Sequence, residues 1–171
     1  MQKVAIFDVD GTIFRSSLLI ELVNILIEQG DFPESTRQDY EREHKEWLER
    51  KGDYEAYIMA VVKMFKFNLK GIHYTRFDTA AKEAVARYQN HTYRYTRDLI
   101  KDLKKDGYFL LAISLSPKGI LDKFCAGLGF NKVYGTLYEL GPNDCFTGEI
   151  IDEHLIRNKA NIVKRAAEKE K

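Results

Sequence analysis

A short apolar run that ends at a pair of carboxylates constrains the fold more than any other feature. Residues 4–7 (Val-Ala-Ile-Phe) contain no polar residue, and Asp8 and Asp10 follow directly. An unbroken apolar run of this length is typical of a strand that is covered on both faces, as in a parallel sheet. Functional groups of such sheets gather at the carboxyl ends of the strands. The pattern therefore predicts a buried first strand with Asp8 and Asp10 at the functional edge.

The remainder of the chain predicts where the sheet is interrupted and where it resumes. From about Ser16 to His91 the apolar residues recur with helical period in four stripes and no strand is expected. Strand and helix patterns then alternate: a strand at 108–113 that ends at Ser114, a helix opened by Pro117, a short strand at 133–136, a hairpin of 137–140 with 146–150, and a last helix from about Arg157. This order predicts an α/β fold, a Rossmann-like parallel sheet core with an inserted helical cap. The core comprises residues 1–14 and 92–171, and the cap comprises residues 15–91.

The carboxylate pair itself indicates metal and phosphate chemistry. Two carboxylates one residue apart repel each other, and burying them unpaired is costly unless they shift their pKa values or bind a cation. Mg²⁺ favours one or two carboxylates together with phosphate oxygens, and an aspartate can also attack phosphorus as a nucleophile. An EF-hand loop is excluded, because Gly11 occupies position 4 rather than 6 and Leu19 occupies position 12 in place of glutamate. A receiver-type phosphoacceptor site and an ordinary surface turn are the remaining alternatives.

Composition excludes several other classes of protein. The 171 residues carry a formal net charge of +1, which gives no basic face for nucleic acid. The most apolar run, residues 18–27, is interrupted by Glu21 and Asn24 and is far shorter than the roughly 20 residues of a membrane span, so no membrane role is expected. Only Cys125 and Cys145 are present, which predicts reduced thiols and a cytoplasmic location. The oligomeric state is left open.

Three segments in the expected order resemble the haloacid dehalogenase superfamily, whose members are mostly phosphomonoester phosphatases. The segment FDVDGT at 7–12 resembles motif one, LLAISLSP at 110–117 is similar to motif two, and Lys159 in RNKANIVKRA is similar to the lysine of motif three. The position of the helical insert, and FTGEIID at 146–152, resemble the subgroup that includes phosphoserine phosphatase. The resemblance spans nearly the whole chain.

The resemblance implies a role for each matching residue. Asp8 is expected to be the nucleophile and a Mg²⁺ ligand, and Asp10 the general acid and base, with its main-chain carbonyl as a second metal ligand. Ser114 is expected to bind a phosphoryl oxygen, and Lys159 to balance the negative charge. We expect further contacts with the phosphate or the substrate from Gly11, Thr12, Arg15 and Leu115. The resulting prediction is a Mg²⁺-dependent phosphatase that acts on a small phosphorylated metabolite through an aspartyl-phosphate.

The chain departs from the family pattern at two places. No Gly-Asp-x-x-x-Asp pattern, the fourth motif, follows Lys159. This predicts either a chain that is short relative to its relatives, or a degenerate protein on the same scaffold that binds phosphate or a partner without catalysis. In both cases we expect the chain to bind Mg²⁺ weakly and to hydrolyse little substrate. Phosphoserine is disfavoured as substrate, because Arg15-Ser16-Ser17 offers no carboxylate for its amino group and Ser114-Leu115-Ser116 stands where phosphoserine phosphatases have Ser-Gly-Gly.

Overall fold

The computed structural model describes residues 3–153 and 158–169, and its centre is a sheet in which the strands follow chain order. The strands are β1 (Val4–Asp8), β2 (Phe109–Pro117), β3 (Lys132–Leu140) and β4 (Phe146–Ile151). The pairs β1–β2 and β2–β3 are parallel, and β4 runs antiparallel to β3. The mostly parallel sheet confirms the predicted α/β fold. The hairpin of β3 and β4 was also predicted.

The helices lie in two groups along the chain. Between β1 and β2 are α1 (Leu18–Glu28), a 3₁₀ turn (Glu34–Arg37), α2 (Gln38–Leu48), α3 (Tyr54–Leu69), α4 (Tyr74–Tyr88) and α5 (Arg94–Lys105). After β2 come α6 (Lys118–Leu128) and, at the end of the chain, α7 (Lys159–Lys169). Residues 15–91 are all described and contain no strand, which confirms the helical insertion. The predicted start of the last helix, Arg157, falls outside the described residues. No described helix combines the length and the apolar character that a membrane crossing requires.

Two strand boundaries differ from the sequence-based expectation. β2 does not end before Ser114 but continues to Pro117, because the ladder with β3 resumes at the pair Pro117–Thr136 and the Thr136 hydroxyl donates to the Leu115 carbonyl at 2.6 Å. The expected third strand and first hairpin arm are one strand, β3. The first half of β3 pairs with β2 and the second half with β4, so its backbone remains extended throughout.

The insert leaves and rejoins the sheet at adjacent points. Phe14 and Thr92 form an antiparallel bridge, the Arg15 amide donates to the His91 carbonyl at 2.8 Å, and the Tyr93 amide donates to the Ile13 carbonyl at 2.9 Å. These contacts hold the two ends of the helical segment side by side. The division into a core of residues 1–14 and 92–171 and a cap of residues 15–91 stays a prediction.

The helical insert and the sheet share one hydrophobic core. A continuous cluster joins buried side chains of α1, α3, α4, β2 and α6. Within it, Phe65 of α3 is fully buried, and its ring centroid lies 5.8 Å from that of Phe32 and 5.3 Å from that of Tyr138 in β3. The insert is therefore anchored to the sheet by apolar packing as well as by its two ends.

A second, smaller cluster attaches α7 to the sheet. Leu111 and Ile113 of β2 pack with Ile162 and Ala166 of α7, all of them buried. This packing decides where the first residue of α7, Lys159, lies relative to the carboxyl end of β1.

Candidate functional site

Asp8 lies at the carboxyl end of β1 and is paired with a lysine from the far end of the chain. Asp8 is the last residue of β1 and stands opposite Ile113 of β2, so that Ser114 follows at the same edge of the sheet. The Nζ atom of Lys159 donates to Asp8 Oδ1 at 2.7 Å, and the Thr12 hydroxyl donates to Asp8 Oδ2 at 3.2 Å. The side chains of Asp8 and Lys159 are 39% and 46% exposed, so the pair remains accessible to a ligand.

Asp10 is held by three hydrogen-bond donors. The hydroxyls of Ser114 and Ser116 both donate to Asp10 Oδ2, that of Ser116 at 2.9 Å. The amide of Leu18, the first residue of α1, donates to Asp10 Oδ1 at 2.7 Å. Because the first amides of a helix have no partner within it, this last contact makes Asp10 a cap for α1. The carboxylate is therefore fixed in orientation by the end of β2 and the start of α1.

The surroundings of Asp10 favour its protonated form. Burial raises the pKa of the Asp10 carboxyl above its ordinary value, and the nearby Asp8 carboxylate acts in the same direction. The hydrogen bonds from Ser114, Leu18 and Ser116 oppose this shift without cancelling it. A carboxyl group with a raised pKa is suited to donate a proton to a leaving oxygen.

The main-chain amides of Gly11 and Thr12, in the turn after Asp10, donate hydrogen bonds to nearby main-chain carbonyls. Gly11 has a φ of +74°, which glycine adopts without steric cost, and its amide donates to the carbonyls of Phe14 (2.8 Å) and Ser16 (3.2 Å). The amide of Thr12 donates to the Val9 carbonyl at 3.2 Å. The structure thus brings the Thr12 hydroxyl to Asp8, and the expected contacts of Gly11 and Thr12 with phosphate stay a prediction.

Two other expected site residues lie further from the carboxylates. Arg15 is exposed, and its guanidinium lies 6.0 Å from the ring centroid of Tyr93. Arg15 borders a separate cavity and does not line the cleft that contains Asp8. Leu115 does line that cleft; its side chain is 45% exposed, and its carbonyl accepts the hydrogen bond from Thr136.

The helical insert closes the cleft over the carboxylates. Tyr54, Ile58 and Val62, one face of α3, line the same small cleft as Asp8 and Asp10. The cleft has a volume of about 140 Å³. The helical segment therefore stands over the carboxyl end of β1, where it restricts what can reach Asp8.

Ser116 is the site residue that sequence reasoning missed. Residues two apart on a strand project to the same face, so Ser116 accompanies Ser114, and both hydroxyls donate to Asp10. Ser114 and Ser116 are 1% and 3% exposed, and the Ser116 amide also donates to the Ser114 hydroxyl oxygen at 2.9 Å. The alternation of small polar residues at the end of β2 was the signal that could have identified Ser116.

The oxygen atoms at this edge of the sheet are of the chemical type that binds a hard cation such as Mg²⁺. The Asp8 carboxylate and the main-chain carbonyl of Asp10 are the type of ligand that Mg²⁺ accepts, and Mg²⁺ retains several waters and binds phosphate oxygens as well. Within residues 3–153 and 158–169 no group of three or more His, Cys, Asp and Glu side chains is arranged to hold a metal. The described part of the chain therefore contributes few ligands, and water and phosphate would complete the coordination.

Comparisons with known proteins identify the family and the fold. A family model described as haloacid dehalogenase-like hydrolase matches residues 5–171. Among curated protein sequences, none matches this chain. Several solved structures share its fold.

Three of these structures illustrate the likeness. A phospho-aspartyl intermediate analogue of phosphoserine phosphatase is 20% identical, with a TM-score of 0.61 over 99% of this chain and 72% of that chain. A phosphoserine phosphohydrolase-like protein from Francisella tularensis subsp. tularensis SCHU S4 is 16% identical, with a TM-score of 0.63 over 98% and 73%. A protein of unknown function from Bordetella pertussis Tohama I is 14% identical, with a TM-score of 0.70 over 89% and 67%.

At such identities the structural likeness establishes the fold alone, whereas the sequence match to the family model extends over nearly all of the chain. This protein therefore belongs to the haloacid dehalogenase-like hydrolase family.

Proposed function

We propose that this protein is a Mg²⁺-dependent phosphatase that hydrolyses a small phosphomonoester through an aspartyl-phosphate formed on Asp8. The observation that carries the proposal is the pairing of two differently held carboxylates in one cleft. Asp8 is accessible and lies 2.7 Å from the ammonium group of Lys159, whereas Asp10 is enclosed by three donors and has a raised pKa. Carboxylates whose environments differ in this way are suited to the separate roles of nucleophile and proton donor.

In the first step a carboxylate oxygen of Asp8 attacks phosphorus. The bond between phosphorus and the leaving oxygen breaks, and its electron pair remains on that oxygen, which takes the proton of the Asp10 carboxyl group. The products are the free alcohol, a phosphoryl group bonded to Asp8 and an ionised Asp10. Lys159, with its three donors on a positive charge, offsets the negative charge at Asp8.

In the second step water releases the phosphate. The Asp10 carboxylate accepts a proton from water while the water oxygen attacks phosphorus, and the bond from phosphorus to Asp8 breaks with its electron pair returning to the carboxylate. Inorganic phosphate leaves, and both aspartates regain their starting protonation states. The hydrogen bonds from Ser114 and Ser116 keep Asp10 in one orientation through both proton transfers.

In this chain, Mg²⁺ would be held by the side-chain carboxylate of Asp8 and the main-chain carbonyl of Asp10. Bound there, the ion would neutralise charge on the phosphoryl oxygens during transfer.

A second candidate function is phosphate binding without turnover. It is favoured by the small number of acidic ligands in the described residues, since no cluster of three metal-binding side chains is found there. In that case Lys159 would still attract a phosphate group, whereas Mg²⁺ would bind weakly.

The direct test is the release of inorganic phosphate from p-nitrophenyl phosphate in the presence of Mg²⁺. Asp8→Asn keeps the shape of the side chain but removes the nucleophile, so kcat should fall by at least about 10³-fold. Asp102→Asn is the matched control, because Asp102 is an exposed aspartate on α5 outside the cleft, and its activity should equal that of the wild type.

The outcomes separate the two functions. Undiminished turnover by Asp8→Asn would refute the covalent mechanism. The second candidate is supported if the wild type shows no turnover but binds inorganic phosphate, and if Lys159→Met abolishes that binding.

A further inference from the structure

A larger cavity lies beside the catalytic cleft, within the helical insert. Its volume is about 790 Å³, compared with about 140 Å³ for the cleft that contains Asp8. The cavity is lined by Gly11 and Arg15 and by side chains of α2 and α3. Tyr54 lines both spaces, so the two are adjacent. The smaller cleft has room for little more than a phosphoryl group, whereas the larger cavity is in the range of small-molecule sites.

Aromatic rings form one wall of this cavity. The rings of His44, Trp47 and Tyr57 form a triangular cluster of nearly parallel rings, with centroids 4.7 Å (His44–Tyr57), 5.6 Å (Trp47–Tyr57) and 6.1 Å (His44–Trp47) apart. Tyr54 lies at 60° to Trp47, with centroids 5.3 Å apart. Tyr57 is buried by its neighbours, but Trp47 and Tyr54 remain 37% and 42% exposed. A concave wall that presents exposed aromatic rings favours a planar ring as ligand, because stacking requires only a π face.

The charged side chains that line the cavity balance in sign, with Arg15 and Arg37 opposed by Glu34 and Glu41. The guanidinium of Arg37 is engaged by Glu34 at 3.0 Å and by Asn24 at 2.8 Å. Burial raises the pKa of Tyr57 to about 12, so its phenol stays neutral. Tyr54 also lines the cleft that contains Asp8 and Asp10, so the aromatic wall borders the carboxylates directly.

We infer that this cavity binds the leaving group, and that the substrate is a phosphomonoester whose alcohol carries a planar aromatic ring and is about as large as a nucleoside. The inference rests on the proposed function, in that the phosphate is assigned to Asp8. It extends that function by naming His44, Trp47, Tyr54 and Tyr57 as the ring-binding wall. Phosphoserine or a short phosphorylated polyol would leave this wall without a partner.

Adenosine 5′-monophosphate and ribose 5-phosphate form a matched pair of probes, because they differ by the aromatic base alone. We expect adenosine 5′-monophosphate to bind at least about fivefold more tightly by isothermal titration calorimetry, given the usual contribution of stacking one base on an aromatic side chain. Trp47 is the only tryptophan of the chain, so its fluorescence should be quenched by adenosine 5′-monophosphate and unchanged by ribose 5-phosphate.

Two variants locate the effect. Trp47→Leu removes a ring that lines the cavity but not the cleft that contains Asp8, and should weaken adenosine 5′-monophosphate binding by at least about threefold without changing the affinity for ribose 5-phosphate. Tyr95→Leu is the control, because Tyr95 is 79% exposed on α5 and borders neither the cleft nor the cavity. Circular dichroism of both variants verifies that the fold is retained.

Equal affinity for the two probes would overturn the inference, and so would an equal loss of binding in Trp47→Leu and Tyr95→Leu. These readouts do not require turnover. Ring-dependent binding without Asp8-dependent hydrolysis would uphold the cavity assignment and refute the phosphatase. Hydrolysis of both probes with equal kcat/KM would uphold the phosphatase and refute the cavity assignment.

Discussion

Replacing Phe65 by alanine tests whether the helical insert and the sheet fold as one unit. Phe65 lies in α3, has no exposed surface, and packs against Phe32 of the insert and Tyr138 of β3. The change removes a fully buried ring and both aromatic contacts, of which the contact with Tyr138 joins the insert to the sheet. Truncation of a buried phenylalanine costs about 3–5 kcal/mol, so we expect the free energy of unfolding to fall by about 4 kcal/mol. For a chain of this length that loss lowers Tm by about 8–16 °C.

Urea denaturation followed by two signals measures the effect. The fluorescence of Trp47 reports on the α2–α3 hairpin, and far-ultraviolet circular dichroism reports on all helices and strands. Because one apolar cluster joins the insert to the sheet, both signals should give the same transition in the wild type, and Phe65→Ala should shift both to lower urea by the same amount.

Phe67→Ala is the matched control. Phe67 is on the same helix, two residues later, and is 81% exposed, so its loss should change stability by less than about 0.5 kcal/mol. A loss below about 1 kcal/mol in Phe65→Ala would refute the packing argument. A shift of the fluorescence transition alone would refute the shared core and show that the insert unfolds independently.

Two further predictions concern the support of Asp10. Gly135→Ala should lower the free energy of unfolding by about 1–3 kcal/mol in a denaturation assay, because the added methyl would lie 2.9 Å from the Lys118 Cα and 3.0 Å from the Ser116 carbonyl oxygen. The control is Gly127→Ala, which has no atom within 4 Å of the new methyl and should be neutral or stabilising. Equal effects of the two substitutions would contradict this reasoning. Asp10→Asn tests the raised pKa. The folded protein holds the proton of the Asp10 carboxyl group more tightly than the unfolded chain does, and this difference stabilises the wild type at low pH. That stabilisation is lost as pH rises from the ordinary aspartate pKa of 3.8 through the raised pKa of Asp10. The unfolding free energy of Asp10→Asn minus that of the wild type should therefore increase as pH rises through this interval. A difference that stays constant with pH would contradict a raised pKa of Asp10.

Much of the candidate site could be placed from local sequence pattern. The apolar run of β1 is short and ends at Asp8, and the run of β2 reaches Ser114, so both residues were expected at one edge of a parallel sheet. The observed pairing of Asp8 with Ile113 brings them there. The placement succeeded because strand direction and side-chain alternation are set by residues that are adjacent in the sequence.

The partners of each carboxylate required the tertiary structure. Ser116 binds Asp10 because β2 continues past Ser114 to Pro117, and that continuation depends on pairing with β3, a strand about 20 residues later. Similarly, the continuity of β3 follows from its two different neighbours, which no local pattern reveals.

The sequence by itself determined the class of fold, the helical insertion and the carboxylate pair at the end of the first strand, because these depend on hydrophobic periods over a few residues. Only the tertiary structure decided that the rings of His44, Trp47, Tyr54 and Tyr57 line one cavity, and that α3 covers Asp8. The helical period predicts which residues share a face of α2 or α3. The angle at which the two helices meet, and the element against which they pack, depend on long-range apolar contacts such as that of Phe65 with Tyr138.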